Sequence, residues 1–296
     1  MGEFFALISG FSFAASNVYT RRGVFFARES FSPLPISMSL GVIIFLAAVL
    51  ISGDMNTLGL LSWKGIFFLS AAGIVHFVIG RSCNYNGLRR IGANRTAPLM
   101  ATNVLFATFF GIIFLSEELA LIRGLGILTV FIGLLFIGTS AERTATGEKL
   151  SRSVFLKGTA FGMGSGICYG ISPLLVKIGL REIGSPYAGG FVSYLAAGII
   201  VLILLNRKRV DDLKKLTRPA FMPMFIGGVA VTAAQIFRYV ALAFAPINVV
   251  TPLTSTNNVF VPFLSYFINR KMETFSTKVL GGTVLVIAGV FAVLLS

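Results

Sequence analysis

Apolar residues fall in long blocks along this chain, and polar residues gather at the short breaks between them. Ten blocks can be marked, at about 4–24, 34–52, 64–88, 94–115, 121–139, 155–177, 187–205, 220–243, 247–268 and 276–295. Most are close to the roughly 20 residues that an α-helix needs to cross a bilayer. The breaks carry Pro, Gly and charge, as at Phe31-Ser32-Pro33, Gly53-Asp54, Arg89-Arg90-Ile91-Gly92, Ser116-Glu117-Glu118 and Asn269-Arg270-Lys271. The longest polar stretches, Ala141 to Ser153 and Asn206 to Pro219, are too short to hold a domain. The pattern predicts an all-α integral membrane protein of ten transmembrane helices. It leaves no room for an attached nucleotide-hydrolysing module, so ATP-driven pumping within this chain is not expected.

Composition agrees with that reading. Hydrophobic residues make up 55% of the chain, the mean hydropathy is +0.87, and charged residues are 12%, where a soluble domain has roughly 25%. Such a chain cannot cover a water-facing surface with polar groups. The 29 Phe suit lipid-facing surface, and the 32 Gly let helices approach closely where no water drives them together. The formal charge of +14 does not signal nucleic-acid binding, because the basic residues sit in small clusters between apolar blocks. The first of them is Arg21, so the opening block reads as a retained helix and not a cleaved signal peptide. Cys83 and Cys168 both fall in apolar blocks and form neither a metal-ligand spacing nor a disulfide framework.

The placement of charge predicts an orientation. Of the 25 Lys and Arg, 19 lie in the breaks after the odd-numbered blocks or at the block ends beside them, and 4 (Lys64, Arg123, Lys177 and Arg181) lie likewise at the others, while Arg81 and Arg238 lie well inside blocks. Basic loops stay in the cytoplasm, which puts both termini on the opposite side. The sequon Asn94-Arg95-Thr96 then faces the cytoplasm and carries no glycan.

The two halves of the chain repeat. At an offset of 154, Tyr85 meets Tyr239, Asn94 meets Asn248, Pro98 meets Pro252, Leu99 meets Leu253, Asn103 meets Asn257 and Phe106 meets Phe260. With one residue inserted, Glu118 meets Glu273 and Gly126 meets Gly281. The expected layout is a first repeat over 1–140, a connecting loop over 141–153 and a second repeat over 154–296. Five spans is an odd number, so the second repeat enters the membrane in the opposite sense. Inverted repeats of this kind suit alternating access.

Two five-helix halves, with the run Ile91-Gly92-Ala93-Asn94-Arg95-Thr96-Ala97-Pro98-Leu99 matched by Ala245-Pro246-Ile247-Asn248-Val249-Val250-Thr251-Pro252-Leu253, and with Leu115-Ser116-Glu117-Glu118 before a Gly-rich last helix, resemble the drug/metabolite transporter superfamily. More narrowly, the chain is similar to the EamA-type exporters over nearly its whole length. The resemblance implies a ten-helix carrier in which the first four helices of each half surround a central cavity. It implies a transporter and not an enzyme, working without a cofactor as a monomer or homodimer. Members of this kind export amino acids and other metabolites, and distant relatives carry nucleotide sugars, sugar phosphates or cationic drugs.

Ionisable groups inside a bilayer are functional candidates by default, and three stand out: His76, Arg81 and Arg238. Arg81, Asn84 and Tyr85 share one helix face, as do Gln235, Arg238 and Tyr239. Two related helices therefore each offer a guanidinium flanked by an amide and a phenol, a set suited to a carboxylate, sulfonate or phosphate. The competing structural reading has these arginines snorkel to the membrane boundary. His76 is either the carrier of a coupling proton or a packed, hydrogen-bonded residue. Asn17, Asn103 and Asn257 complete the predicted substrate-binding set, with Ser16, Tyr19, Thr102, Tyr169, Ser172, Thr251, Ser255 and Asn258 as further polar groups of the same spans. Pro98 and Pro252 each remove a backbone donor, freeing a carbonyl for a ligand or hinge, or only kinking the helix for packing. Glu118 and Glu273 read as helix-end caps.

No Asp or Glu lies well inside a span. This argues against a cation/proton antiporter, and the lone His leaves no metal cluster or hydrolytic arrangement. The expected partners are a small-molecule substrate and the lipid bilayer. The sequence thus predicts a secondary transporter of a small polar metabolite, an amino acid or organic anion; a carrier or flippase for a phosphorylated head group is the competing reading.

Overall fold

The computed structural model describes residues 1–27, 31–59, 62–91, 99–100, 102–139, 151–268 and 277–295, and among these there are helices and no strands. Asn94, Arg95, Thr96, Pro98, Glu273 and most of the connecting loop over 141–153 lie outside the described residues. The helices are α1 (Gly2–Ala27), α2 (Pro33–Ser52), α3 (Met55–Gly59), α4 (Trp63–Gly73), α5 (Arg81–Ile91), α6 (Asn103–Leu115), α7 (Leu121–Thr139), α8 (Arg152–Ile183), α9 (Pro186–Leu204), α10 (Arg207–Lys214), α11 (Arg218–Phe244), α12 (Ile247–Thr254), α13 (Asn257–Ile268) and α14 (Thr277–Leu294). Five stretches are long and apolar enough to cross a membrane: Pro33–Ser52, Trp63–Gly87, Arg152–Ile183, Pro186–Leu204 and Arg218–Phe244. Asn103–Leu115, Leu121–Phe136 and Gly281–Val293 are shorter apolar helices.

The breaks read from the sequence end and begin helices by ordinary capping chemistry. Ser62, Ser151, Ser185 and Asn206 each accept a hydrogen bond from the backbone N–H three residues on, covering a donor that the first helical turn leaves unpaired. Gly53 and Gly184 close α2 and α8 in the left-handed conformation, both at φ 77°. The third span runs over Trp63–Gly87, with α4 passing through a π-helical stretch, Ile74–Gly80, into α5. One expectation needs correction. The span expected over 247–268 is two helices, α12 and α13, parted by a turn at Ser255 and Thr256, just beyond Pro252.

The halves interleave. Among the described residues the closest helix pairs join the first half to the second: α1 with α11, α4 and α5 with α8, α2 with α9, and α7 with α14. Each pairing has its counterpart under exchange of the halves, and so do α1 with α12 and α13, matched by α8 with α6. Small residues permit the approaches. A Cβ on Gly126 of α7 would lie 2.9 Å from the carbonyl oxygen of Gly289 on α14, and one on Gly289 would lie 2.6 Å from that of Gly126. Gly41 of α2 makes room for the Tyr194 ring of α9, and Gly190 of α9 makes room for the Phe45 ring of α2. Large apolar side chains remain on the outside, including Ile51, Trp63, Phe67, Leu202 and Ile203, a surface whose natural solvent is lipid.

One polar clamp also crosses between the halves. Ser116, at φ 52°, turns the chain sharply after α6, and Glu117 then reaches the start of α12. Its carboxylate accepts from the N–H of Ile247 at 2.8 Å and of Asn248 at 3.1 Å. Asn248 Nδ2 donates to the Glu118 carbonyl at 3.1 Å, and Lys177 Nζ lies 3.8 Å from Glu117 while donating to the Ala245 carbonyl at 2.5 Å. The capping carboxylate is therefore Glu117 and not Glu118, and the helix it caps belongs to the other half. Lys177, at the end of the sixth apolar block, is a partly buried member of this clamp. A negative charge suits a helix N-terminus, and removing one partner of a buried charge cluster costs about 3 kcal/mol or more. Glu117→Ala is expected to lower the melting temperature in detergent well below that of Lys177→Met, because in the latter the carboxylate keeps both N–H donors. Equal melting of the two variants would show that the cap carries no weight.

Candidate functional site

The π-helical stretch carries the centre of the site. Its Gly73 entry lies against the backbone of Ser193 on α9, and Gly80 at its end lies against the Tyr169 ring of α8. π-helical turns widen a helix locally and recur at functional positions. His76 projects from this stretch, buried, its ring 4.7 Å from that of Tyr169 and 5.0 Å from that of Phe77.

Helix α11 presents Gln235 and Arg238, one turn apart and both buried, to the same imidazole. Gln235 Nε2 lies 3.0 Å from His76 Nε2, Arg238 Nη1 lies 3.3 Å from His76 Nδ1, and Arg238 Nη1 lies 3.2 Å from Gln235 Oε1. Arg238 Nη2 donates to Ser172 Oγ on α8 at 3.3 Å. Arg81 opens α5 on the first half's side of the cluster. Its Nη1 donates to Ser37 Oγ at 2.9 Å, its guanidinium lies 5.0 Å from the centroid of the Phe77 ring, and its buried Nη2 has no hydrogen-bond partner. Among the described residues, neither arginine meets a carboxylate.

The triangle of His76, Gln235 and Arg238 cannot satisfy itself. A guanidinium only donates, so both its neighbours must accept from it. His76 then uses Nδ1 as acceptor, and its neutral ring carries the proton on Nε2. Gln235 turns its oxygen to Arg238 and its NH2 to that same Nε2. Two donors face each other. Rotating the amide moves the conflict to the Gln235–Arg238 contact, and changing the tautomer moves it to the His76–Arg238 contact. One contact in three is always donor against donor. With the unpartnered Nη2 of Arg81, the cluster is short of acceptors in a place where unpaired polar groups are costly.

The predicted residues divide accordingly. Arg81, Arg238, Gln235 and His76 come together, with Tyr169 and Ser172, and the two arginines are buried and do not snorkel to a boundary. Asn84 lies beside the Tyr169 phenol, and Tyr85 is partly buried within electrostatic reach of Arg81. Tyr239 packs its ring on Phe45 in the apolar core, 5.9 Å between centroids, with its phenol beside Ser193 and within electrostatic reach of Arg238. Asn17 is exposed and outside the cluster. Asn103 and Asn257 begin α6 and α13 and are partly buried, and the Asn257 Oδ1 atom is buried without a partner. Sequence reasoning missed Ser37 and Tyr194. Each is a hydrophilic group inside an otherwise apolar span, a weak signal that becomes meaningful only once α2 and α9 are seen against α5.

These features define a multi-pass membrane protein with a buried, donor-rich polar centre. A family model for the EamA-like transporter family matches residues 1–139 and again 156–295. The chain belongs to that family and so to the drug/metabolite transporters, whose members are transporters and not enzymes. No curated protein sequence matches it. One solved crystal structure superposes on 97% of this chain and 96% of its own, with a TM-score of 0.70 at 12% identity, a likeness of fold.

A buried cation without a counter-charge is a burden on the empty fold. Arg238→Met, which removes that charge and frees His76 and Gln235 to pair with each other, is expected to leave the melting temperature of the ligand-free protein unchanged or raised. A fall as large as that of Glu117→Ala would mean that Arg238 is a structural strut.

Proposed function

We propose that this transporter is a secondary carrier of a small organic anion or an amino acid gripped by its carboxylate, with Arg81, Arg238, Gln235 and His76 as the binding groups. The acceptor shortage at the buried centre carries this reading: two guanidinium groups and an over-donated triangle are completed by a carboxylate, sulfonate or phosphate. The chain crosses the membrane ten times as two inverted five-helix repeats, and the reciprocal helix pairings support that arrangement. The site then lies between related halves that exchange conformations in alternating access. The Glu117 clamp is a bond between halves that one of those conformations has to break. The cytoplasmic membrane is its site, with both termini outside by the distribution of Lys and Arg. Efflux is the direction, as in the exporters that the sequence resembles.

The test is a thermal-shift series on the purified protein with carboxylates, sulfonates, phosphorylated sugars, phosphorylated lipids and lipophilic cations, since a ligand that binds only the folded state raises the melting temperature. Anions are expected to stabilise the wild type. Arg81→Ala or Arg238→Ala should weaken binding by about 10- to 100-fold, the worth of one charged hydrogen bond. Stabilisation by phosphorylated lipids alone would make the protein a head-group carrier. Stabilisation by cations, unaffected by either substitution, would overturn the arginine site.

A further inference from the structure

We propose that His76 takes up a proton as the anion binds, so that anion and proton cross the membrane together. The inference rests on the anion-carrier reading above and adds the coupling ion to it.

The argument is one of donors and acceptors around a single ring. In the empty site His76 Nδ1 faces Arg238 Nη1 at 3.3 Å. That group can only donate, so the nitrogen opposite it has to be bare, and the ring is neutral. Protonating it there would set an N–H against an N–H and a cation against a cation. An anion oxygen seated between Arg238 and His76 changes both facts. It accepts from the guanidinium and from a newly protonated Nδ1, and it offsets the positive charge next to the ring. Arg238 no longer needs the Gln235 oxygen, so the amide can turn and accept from Nε2–H, the nitrogen from which it now stands 3.0 Å. Gln235 NH2 is left to donate to the anion. Every donor in the triangle then has an acceptor, which no assignment of the empty site achieves.

The groups around the ring agree. Arg238 and Gln235 face it from α11, Arg81 acts on it from α5, the Tyr169 phenol flanks it from α8, and Tyr194 on α9 packs against the adjacent Phe77. No carboxylate among the described residues acts on it, so the bound anion is the negative charge that protonation requires. The proton arrives from solvent, rests on Nδ1, and is returned when the anion leaves and Arg238 recovers its contact. No bond of the transported molecule is made or broken. One proton moving with a monoanion carries no net charge, so the direction of travel follows the anion and proton gradients and not the membrane potential.

Linkage makes this measurable, because an anion that raises the proton affinity of the ring must bind more tightly as the proton concentration rises, by the same factor. The probes are methanesulfonate and sulfate, neither of which titrates near neutrality. Binding is measured calorimetrically between about pH 6 and 8, around the ordinary range of imidazole. Proton uptake is read with an indicator dye in weak buffer, with full-length wild type and His76→Gln, whose amide keeps polar contacts without titrating. The expected result is a Kd that rises by up to about tenfold per pH unit in the wild type, with uptake of as much as one proton per anion. In His76→Gln, binding should weaken, and whatever binding the arginines retain should show neither the slope nor the uptake. Anion binding to the wild type with no proton uptake and a flat Kd would overturn the proton proposal and leave the anion site standing. Failure of either probe to bind the wild type would overturn both. The wild-type uptake decides the matter even if the variant does not fold.

Discussion

A guanidinium can donate hydrogen bonds but never accept one, and the centre of this protein is arranged around that limit. Water normally relieves it, since a water oxygen will accept from any N–H. Inside a helix bundle in a bilayer the relief has to come from protein or ligand. Arg81 finds Ser37 on one side, while its Nη2 stands without a hydrogen-bond partner beside the Tyr194 phenol. Arg238 forces His76 and Gln235 into a triangle with one contact too many. The same two residues that are awkward for the empty fold are well suited to a molecule that brings oxygen and negative charge. Stability and binding pull apart here, as they commonly do at functional sites.

The helices around this centre explain how a small site can involve the whole chain. Its groups come from α2, α5 and the π-helical stretch of the first half, and from α8 and α11 of the second. Because α1 packs on α11, and α4 and α5 on α8, the halves do not form two separate bodies. They are threaded through each other, with α2 against α9 at the level of Phe45 and Tyr194, and α7 against α14 through Gly126 and Gly289. The Glu117 cap, which ties the turn after α6 to the first N–H groups of α12, is a further bond between them.

Much of this was legible in the sequence, and what was not has physical causes. Apolar blocks, capping serines and glycine breaks are local, so the helix order could be read from them. The arginines, His76 and Gln235 stood out because charge and amides are rare in apolar spans. Tyr239 shares a helix face with Arg238 and stays within its electrostatic reach, yet its ring packs in the core against Phe45. The helix face narrows the direction of a side chain but does not fix it. Asn17 lies exposed and outside the cluster, since a polar residue in an apolar helix can face any side of it. The role of Glu117 could not be read at all. It pairs with Ile247 and Asn248, some 130 positions away, and only the folded turn at Ser116 brings them together.

The most direct test of the account is to see the anion. Crystals of the protein grown or soaked with selenate, whose selenium scatters anomalously, should show a peak at the centre of the bundle, within hydrogen-bond reach of Arg238 and of either His76 or Arg81. That peak should be absent from Arg238→Met crystals treated alike. Anomalous peaks confined to surface clusters such as the one on α10, with the centre empty, would contradict the claim that the buried arginines await an anion.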